Sequence, residues 1–79
     1  MKEQYVLRMK NVEPGVWLEG TLTAENRTSV VVTGLIFTAA MFDSRLEAKL
    51  VQQELWDHGF GKRFEISTIM QGGTFFRPQ

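Results

Sequence analysis

One stretch of the chain has the pattern of a helix, and this pattern limits what the remaining residues can form. Ser44 and Glu47 make a capping box, in which the serine accepts a hydrogen bond from the backbone N–H of Glu47 and the glutamate bonds back. No glycine or proline follows until Gly59, which can supply the left-handed residue that ends helices, and Phe60 fits the apolar position of a Schellman motif. The sequence therefore predicts one helix, over residues 45–58.

The predicted helix is apolar on more than one side. At about 100° per residue, one apolar face spans the helix, and we assign it to a sheet. That face consists of Ala48, Val51 and Leu55. Leu46 and Leu50 lie nearly opposite, and Trp56 lies between the two faces. A helix on a sheet needs one apolar stripe, so these three residues exceed what the packing requires.

Four runs outside the helix are typical of β-strands: residues 4–10, 16–23, 29–38 and 64–70. The first two alternate between apolar and polar residues and are joined by Pro14-Gly15, which predicts an antiparallel hairpin. The third run is rich in β-branched residues and apolar on both faces, so we expect a central strand. Gly34 within it indicates a bulge or a bend.

The element order β-β-β-α-β predicts an α+β fold, with three to four mostly antiparallel strands and one helix packed on one face of the sheet. The 79 residues suffice for a single domain, with its core at about residues 4–70 and a short aromatic tail at 71–79. A domain this small is marginally stable. Disulfides and the common zinc sites are excluded, because there is no cysteine and one histidine. Tight packing or self-association remains.

Charge and hydropathy narrow the class of partner. Nine basic residues balance nine acidic ones, so the chain as a whole attracts neither nucleic acid nor an anionic membrane, and copies of it do not repel each other. Residues 1–4 become polar where a signal peptide would become apolar, and the apolar runs are too short to cross a bilayer. We expect a cytoplasmic protein without a membrane partner.

Residues suited to catalysis are scarce in the sequence. His58, the single histidine, falls at the end of the helix, where a cation interacts favourably with the helix dipole. The pattern offers it neither an orienting partner nor a nucleophile, and the acidic residues lack the spacing of paired carboxylates or metal ligands. We therefore expect no enzyme, no catalytic residue, no metal and no cofactor.

The surplus of large apolar side chains predicts a protein interface, since aromatic residues are enriched at interface cores. The candidates are Leu46, Leu50, Trp56, Phe75 and Phe76. The alternative is that the sheet curls and the tail covers the helix, which would bury them within one copy. We favour an interface for Leu46 and Leu50 and leave both alternatives open for the tail. The leading hypothesis is a protein-binding module that forms a homodimer or docks on another protein.

Nucleic acid is the alternative partner. In the expected hairpin Arg8 and Lys10 flank Trp17, and cations beside aromatic rings are typical of single-stranded nucleic-acid binding. The competing interpretation is a local pair in which Arg8 stacks on Trp17. The full set of candidates is Arg8, Lys10, Trp17, Lys62, Arg63 and Arg77, the last beside the aromatic tail.

The segment that leads into the helix resembles a pattern found in small uncharacterised proteins of phages and prophages. In that pattern a threonine-rich strand leads to A-x-x-F, a short polar cap and E-A at the start of a helix. The matching residues are Ala39, Phe42, Ser44, Glu47 and Ala48. Some such proteins resemble host-takeover factors that bind and inhibit a host enzyme. The resemblance implies a phage-encoded modulator in the host cytoplasm and carries over no functional residue.

Overall fold

The computed structural model describes residues 2–71, apart from the side chains of Lys2, Met70 and Gln71 and the exposure of Gly61. The strands are β1 (Lys2–Met9), β2 (Trp17–Ala24), β3 (Arg27–Thr33) and β4 (Phe64–Gln71). Helix α1 (Arg45–Asp57) lies between β3 and β4, with 3₁₀ turns at Ile36–Thr38 and Gly61–Arg63. The sheet is antiparallel in the order β3-β2-β1-β4. The predicted α+β fold is confirmed, and no helix within residues 2–71 is long and apolar enough to span a membrane.

At its two ends α1 shows the predicted serine cap and the predicted Schellman motif. The Ser44 hydroxyl accepts the backbone N–H of Glu47 at 3.1 Å, which satisfies one of the donors left over at the helix start. At the other end Gly59 has φ +90°, and the N–H of Phe60 donates to the carbonyl of Leu55 at 2.7 Å. This is the Schellman arrangement. The helix ends one residue earlier than predicted, because His58 is the C-cap.

The core lies between α1 and the β1–β4 half of the sheet. Ala48 and Leu55 are buried and Val51 is half-buried against the core, so the predicted inner face of the helix is confirmed. The buried cluster consists of Leu7, Leu18, Leu55 and Phe64. Burial of large apolar groups of this kind is the main term that stabilises a small fold.

The strand covered on both faces is β1, whereas the sequence predicted β3. Val6 and Leu7 are adjacent, point to opposite faces of the sheet, and are both at 0% exposure. The prediction that the third strand is central is wrong, because β3 is an edge strand and ends at Thr33, before Gly34. Its β-branched composition favours extended backbone, but composition does not determine a strand's place in the sheet.

The β1–β2 hairpin is much looser than the pattern predicts. Its two strands are paired at a single position, Arg8 opposite Trp17. Beyond this point they diverge, while β1 stays paired with β4 and β2 with β3 along most of their lengths. The sheet therefore consists of a β1–β4 half and a two-stranded ribbon, which we call the β2–β3 ribbon.

The gap between β1 and β2 is filled by residues 39–42, which we call the crossing segment. The N–H of Ala40 donates to the carbonyl of Leu18 on β2 at 2.9 Å. Phe42 exchanges two backbone hydrogen bonds with Tyr5 on β1, at 2.9 and 2.8 Å. The crossing segment thus satisfies backbone groups that β1 and β2 do not offer each other.

The β2–β3 ribbon makes the molecule elongated. The Cα radius of gyration is 13.3 Å, and the extents along the principal axes are 47, 24 and 23 Å. A compact domain of the described length would have a radius of about 11 Å. The ribbon is also largely exposed, so a large part of β2 and β3 is in contact with solvent.

Candidate interaction surfaces

A cleft of about 310 Å³ lies between the β2–β3 ribbon and α1. Its lining includes the apolar residues Leu18, Phe42, Val51 and Leu55, the hydroxyl residues Thr21, Thr23 and Thr28, and the ionisable residues Glu54 and His58. Within residues 2–71 neither ionisable side chain has a hydrogen-bond or ion-pair partner, and no cluster of three His, Cys, Asp or Glu side chains could hold a metal. The cleft is a partly open, mainly apolar depression in which Glu54 and His58 have no orienting partner among the described residues.

Arg8 is engaged within the molecule. Its guanidinium donates to the Val12 carbonyl at 3.2 Å and to the Glu13 carboxylate at 2.9 Å, and lies 3.8 Å from the Glu65 carboxylate. Its side chain is 23% exposed. These contacts engage Arg8 with the loop after β1 and with β4, whereas the nucleic-acid hypothesis assigned its charge to a ligand.

Trp17 lies directly across from Arg8, as the hairpin predicts, but its ring has a local packing role. A Cβ atom built on Gly15 would come within 2.8 Å of the ring, so the indole packs closely against the glycine backbone. Trp17 is half-buried. Lys10, the third residue of this predicted group, lines a groove that it forms with residues of α1 and β4.

Of the predicted protein-interface residues that the structure describes, Leu46 and Leu50 share one side of α1 and Trp56 lies on another. Leu46 and Leu50 are 66% and 62% exposed on the outer side of α1. Trp56 is half exposed but lies about 120° further round the helix axis from Leu50. The other candidates, Phe75 and Phe76, lie outside the described residues, as does Arg77 of the nucleic-acid set.

The side of α1 that carries Trp56 is positively charged. Lys10, Arg45 and Lys49 line a groove of about 310 Å³ together with Gln52, Glu65 and Ile66. Towards the other end of α1, the Lys62 ammonium lies 5.4 Å from the centre of the Trp56 ring. The Arg63 guanidinium lies 6.0 Å from the centre of the Phe60 ring. Two residues of the predicted nucleic-acid set, Lys10 and Lys62, are therefore on this side, and Arg45 and Lys49 extend it. Sequence reasoning missed both, although their four-residue spacing places them on one side of a helix.

A second surface that sequence reasoning missed is the outer edge of β3 with the turn that follows. We call residues 28–38 the β3 edge; they include no charged residue. Val31 and Val32 are each 39% exposed, and Leu35 and Phe37 just beyond are more exposed still. Within residues 2–71 no strand pairs with this side of β3. The run of apolar residues was visible in the sequence, but we assigned it to the core.

These features define the class of the protein as a four-stranded antiparallel α+β fold with an apolar sheet edge and a separate positively charged side. Comparisons with protein-family models, with characterised proteins and with solved structures give no match. The resemblance to small phage proteins therefore stays a prediction.

Proposed function

We propose that the chain is a non-enzymatic protein-binding module that docks by strand addition at the β3 edge, and that the partner is a second copy of the chain. One observation carries this proposal: the unpaired edge strand β3 has three consecutive valines, and two of them, Val31 and Val32, are 39% exposed. The unpaired N–H and C=O groups of an edge strand form a template on which another strand can pair. Addition of a strand would pair these backbone groups and cover the exposed side chains of Val31 and Val32.

Apart from the charge of Arg27 at its start, β3 lacks the devices by which proteins protect exposed edges. Such edges usually carry lysine or proline, or a bulge that twists the strand away. From Thr28 to Thr33 there is neither a charge nor a proline, and three consecutive valines occupy the centre. The irregularity in the β2–β3 ladder lies between Leu18 and Gly20 on β2. An edge without such protection supports association as its role.

The sequence of β3 is compatible with pairing to itself. In an antiparallel pair with a two-fold axis at Val30, Thr28 would face Val32 and Ser29 would face Val31 of the second copy. No like charges would face each other, and β-branched pairs of this kind stabilise sheets. A two-fold contact uses the same surface on both copies, and zero net charge removes long-range repulsion. The product would be one continuous eight-stranded sheet.

Two alternative docking arrangements share part of this support. The edge strand of a different protein could pair with the same backbone groups, which is the form that the resemblance to phage modulators implies. The exposed Leu46 and Leu50 on α1 form the second candidate surface, since exposed leucines on one helix side are typical of helix–helix contacts. One substitution on each surface distinguishes docking at the β3 edge from docking on α1.

The test is the solution mass over a wide range of protein concentration, measured by sedimentation equilibrium. We expect the wild-type mass to rise from 9.1 kDa towards twice that value. Val31→Lys should stay at the monomer mass, because the edge would then carry a charge that pairing places near its symmetry mate. Leu50→Asp is the matched surface variant on α1 and should dimerise as the wild type does.

Other outcomes assign the surface differently. A dimer that persists in Val31→Lys and is lost in Leu50→Asp would place the interface on the helix. A wild type that stays monomeric at the highest concentration would contradict self-association. A peptide with the sequence of residues 27–33, added to that monomer, would then test whether the edge accepts any strand.

A further inference from the structure

The charges on α1 are separated by side, which the net charge of zero conceals. Arg45 and Lys49 lie one turn apart on one side of the helix. The acidic residues Glu47, Glu54 and Asp57 lie about 80–180° away from them round the axis. The helix therefore has a positive side and a negative side, and the positive one borders β4.

The groove on this positive side holds cations that form no ion pair among the described residues. Lys10 follows β1 and joins Arg45 and Lys49 in the lining. None of the three has an ion-pair partner in the described part of the chain. The one carboxylate in the lining, Glu65, lies 3.8 Å from the Arg8 guanidinium, so its charge is shared with another cation. An anionic ligand would find three uncompensated cations there.

An aromatic ring stands at the far end of the same side. Trp56 is eleven residues after Arg45, which corresponds to about 16 Å along the helix axis. Its side chain is half exposed, and the Lys62 ammonium lies 5.4 Å from the ring centre. A row of cations thus ends at an accessible indole with a further cation beside it.

We propose that this positive side of α1, formed by Lys10, Arg45, Lys49, Trp56 and Lys62, binds single-stranded nucleic acid. The cations would contact successive phosphates, and one base would stack on the indole. Both contacts are sequence-tolerant, because every nucleotide has a phosphate and every base has a π-face. This site is separate from the β3 edge and does not depend on the proposed self-association.

The exposed indole is what favours single-stranded nucleic acid over other polyanions. An acidic peptide would use the cations and would gain little from a ring. A DNA duplex keeps its bases stacked on each other, so a surface tryptophan has no free base face to contact. An unpaired strand satisfies the cations and the ring together.

The test uses fluorescence anisotropy of a labelled oligothymidylate, titrated with the full chain at several salt concentrations. We expect binding whose logarithm falls linearly with the logarithm of salt concentration. In a Trp17→Phe background Trp56 is the single tryptophan, since the chain has two. Its fluorescence should be quenched as the oligonucleotide binds, and Trp56→Leu should weaken binding about fivefold or more.

A matched pair of arginine substitutions tests the location. Arg45→Gln should reduce the salt slope by about 0.7 and lower the affinity several-fold, because one phosphate contact is lost. Arg27→Gln makes the same change in charge on β3, away from the groove, and should leave slope and affinity unchanged. Circular dichroism would establish that both variants keep the fold.

Three results would overturn the proposal. They are no binding by the wild type at low salt, equal slopes for Arg45→Gln and Arg27→Gln, and binding that leaves Trp56 fluorescence unchanged. Polyglutamate that displaces the oligonucleotide at equal charge concentration would also overturn it, in favour of an acidic protein segment as ligand. None of these results bears on the solution mass, so this proposal and the proposed function fail separately.

Discussion

At the scale of single residues, Arg8 fixes the place where the two halves of the sheet meet. It sits at the one paired position between β1 and β2 and binds both Val12 and Glu13 in the connecting loop. Hydrogen bonds that involve a charged donor are stronger than neutral ones, particularly when the donor is partly shielded from water. An arginine that sequence analysis assigned to a ligand therefore has a structural role, and its partners identify that role.

Tyr5 allows one side-chain hydrogen bond of the structure to be tested in solution. Its hydroxyl donates to the Glu3 carboxylate at 3.1 Å. This hydrogen bond raises the pKa of Tyr5 above its ordinary value of 10.0, with smaller contributions from desolvation and from the Glu3 charge, partly offset by Arg45. We expect an ultraviolet titration, which reports this single tyrosine, to give a pKa above 10.0.

Glu3→Gln is the control, and it should bring the pKa of Tyr5 back towards the ordinary value. Because the folded-state pKa is raised, the contribution of this bond to stability is present below the unfolded pKa of about 10. It is lost as the pH rises through the folded-state value. An unchanged titration in Glu3→Gln would contradict the hydrogen bond as the cause.

At the scale of elements, two leucines on α1 distinguish the inner from the outer side of the helix. Leu55 is 2% exposed in the core cluster, whereas Leu50 faces outward one turn earlier. Leu55→Ala should lower the free energy of unfolding by about 2–5 kcal/mol, because it leaves a cavity. Leu50→Ala should change it by less than about 0.5 kcal/mol. Urea unfolding of both variants measures the difference.

A similar loss of stability in the two variants would mean that Leu50 is buried in solution. Should the loss at Leu50 grow with protein concentration, the outer side of α1 would be an interface, since association stabilises the folded state by mass action. This comparison therefore checks the predicted helix surface independently of the mass measurements.

The elements differ in how far the sequence alone could predict them. The limits and the inner side of α1 follow from Ser44, Gly59 and the spacing of apolar residues, all of which act within a few residues of each other. The existence of all four strands is equally local. The place of β3 in the sheet depends on which strands meet in space, and its β-branched residues are compatible with either an edge or the centre.

The same distinction holds for the candidate sites. The exposed side of Leu46 and Leu50 could be predicted, because opposite sides of one helix are fixed by its periodicity. The groove could not, since Lys10 and Arg45 are far apart in sequence and meet through the packing of α1 beside the β1–β4 half. The contacts of Arg8 could not be predicted either, because its partner Glu65 belongs to a strand more than fifty residues later.

At the scale of the whole molecule, the two halves of the sheet are joined by one residue pair, Arg8 with Trp17, and by the crossing segment. Each of four elements contributes one residue to the core cluster: Leu7 from β1, Leu18 from β2, Leu55 from α1 and Phe64 from β4. The distal part of the β2–β3 ribbon is exposed, and an isolated two-stranded ribbon is marginally stable in water. Local stability should therefore differ between the two halves.

Amide hydrogen exchange should reveal this difference. In the dilute monomer, we expect the amides of β1 to exchange much more slowly than those of the distal ribbon, because opening of the ribbon exposes few buried groups. At high concentration the outward-facing amides of β3 should gain protection, if the β3 edge pairs with a second copy. Uniform protection of β1 and β3 in the monomer would contradict the two-part sheet.

The sequence by itself determined the elements: one capped helix with a defined inner side, four extended runs, and an α+β arrangement of them. These properties depend on backbone dihedral preferences, capping and side-chain periodicity, which are set by neighbouring residues. Only the tertiary structure decided that β1 is central and β3 an edge, that Arg8 pairs with Glu13 and Glu65, and that Lys10 joins Arg45 and Lys49. Those outcomes depend on which distant segments come into contact, and pairwise contacts between distant residues are not encoded in any local pattern.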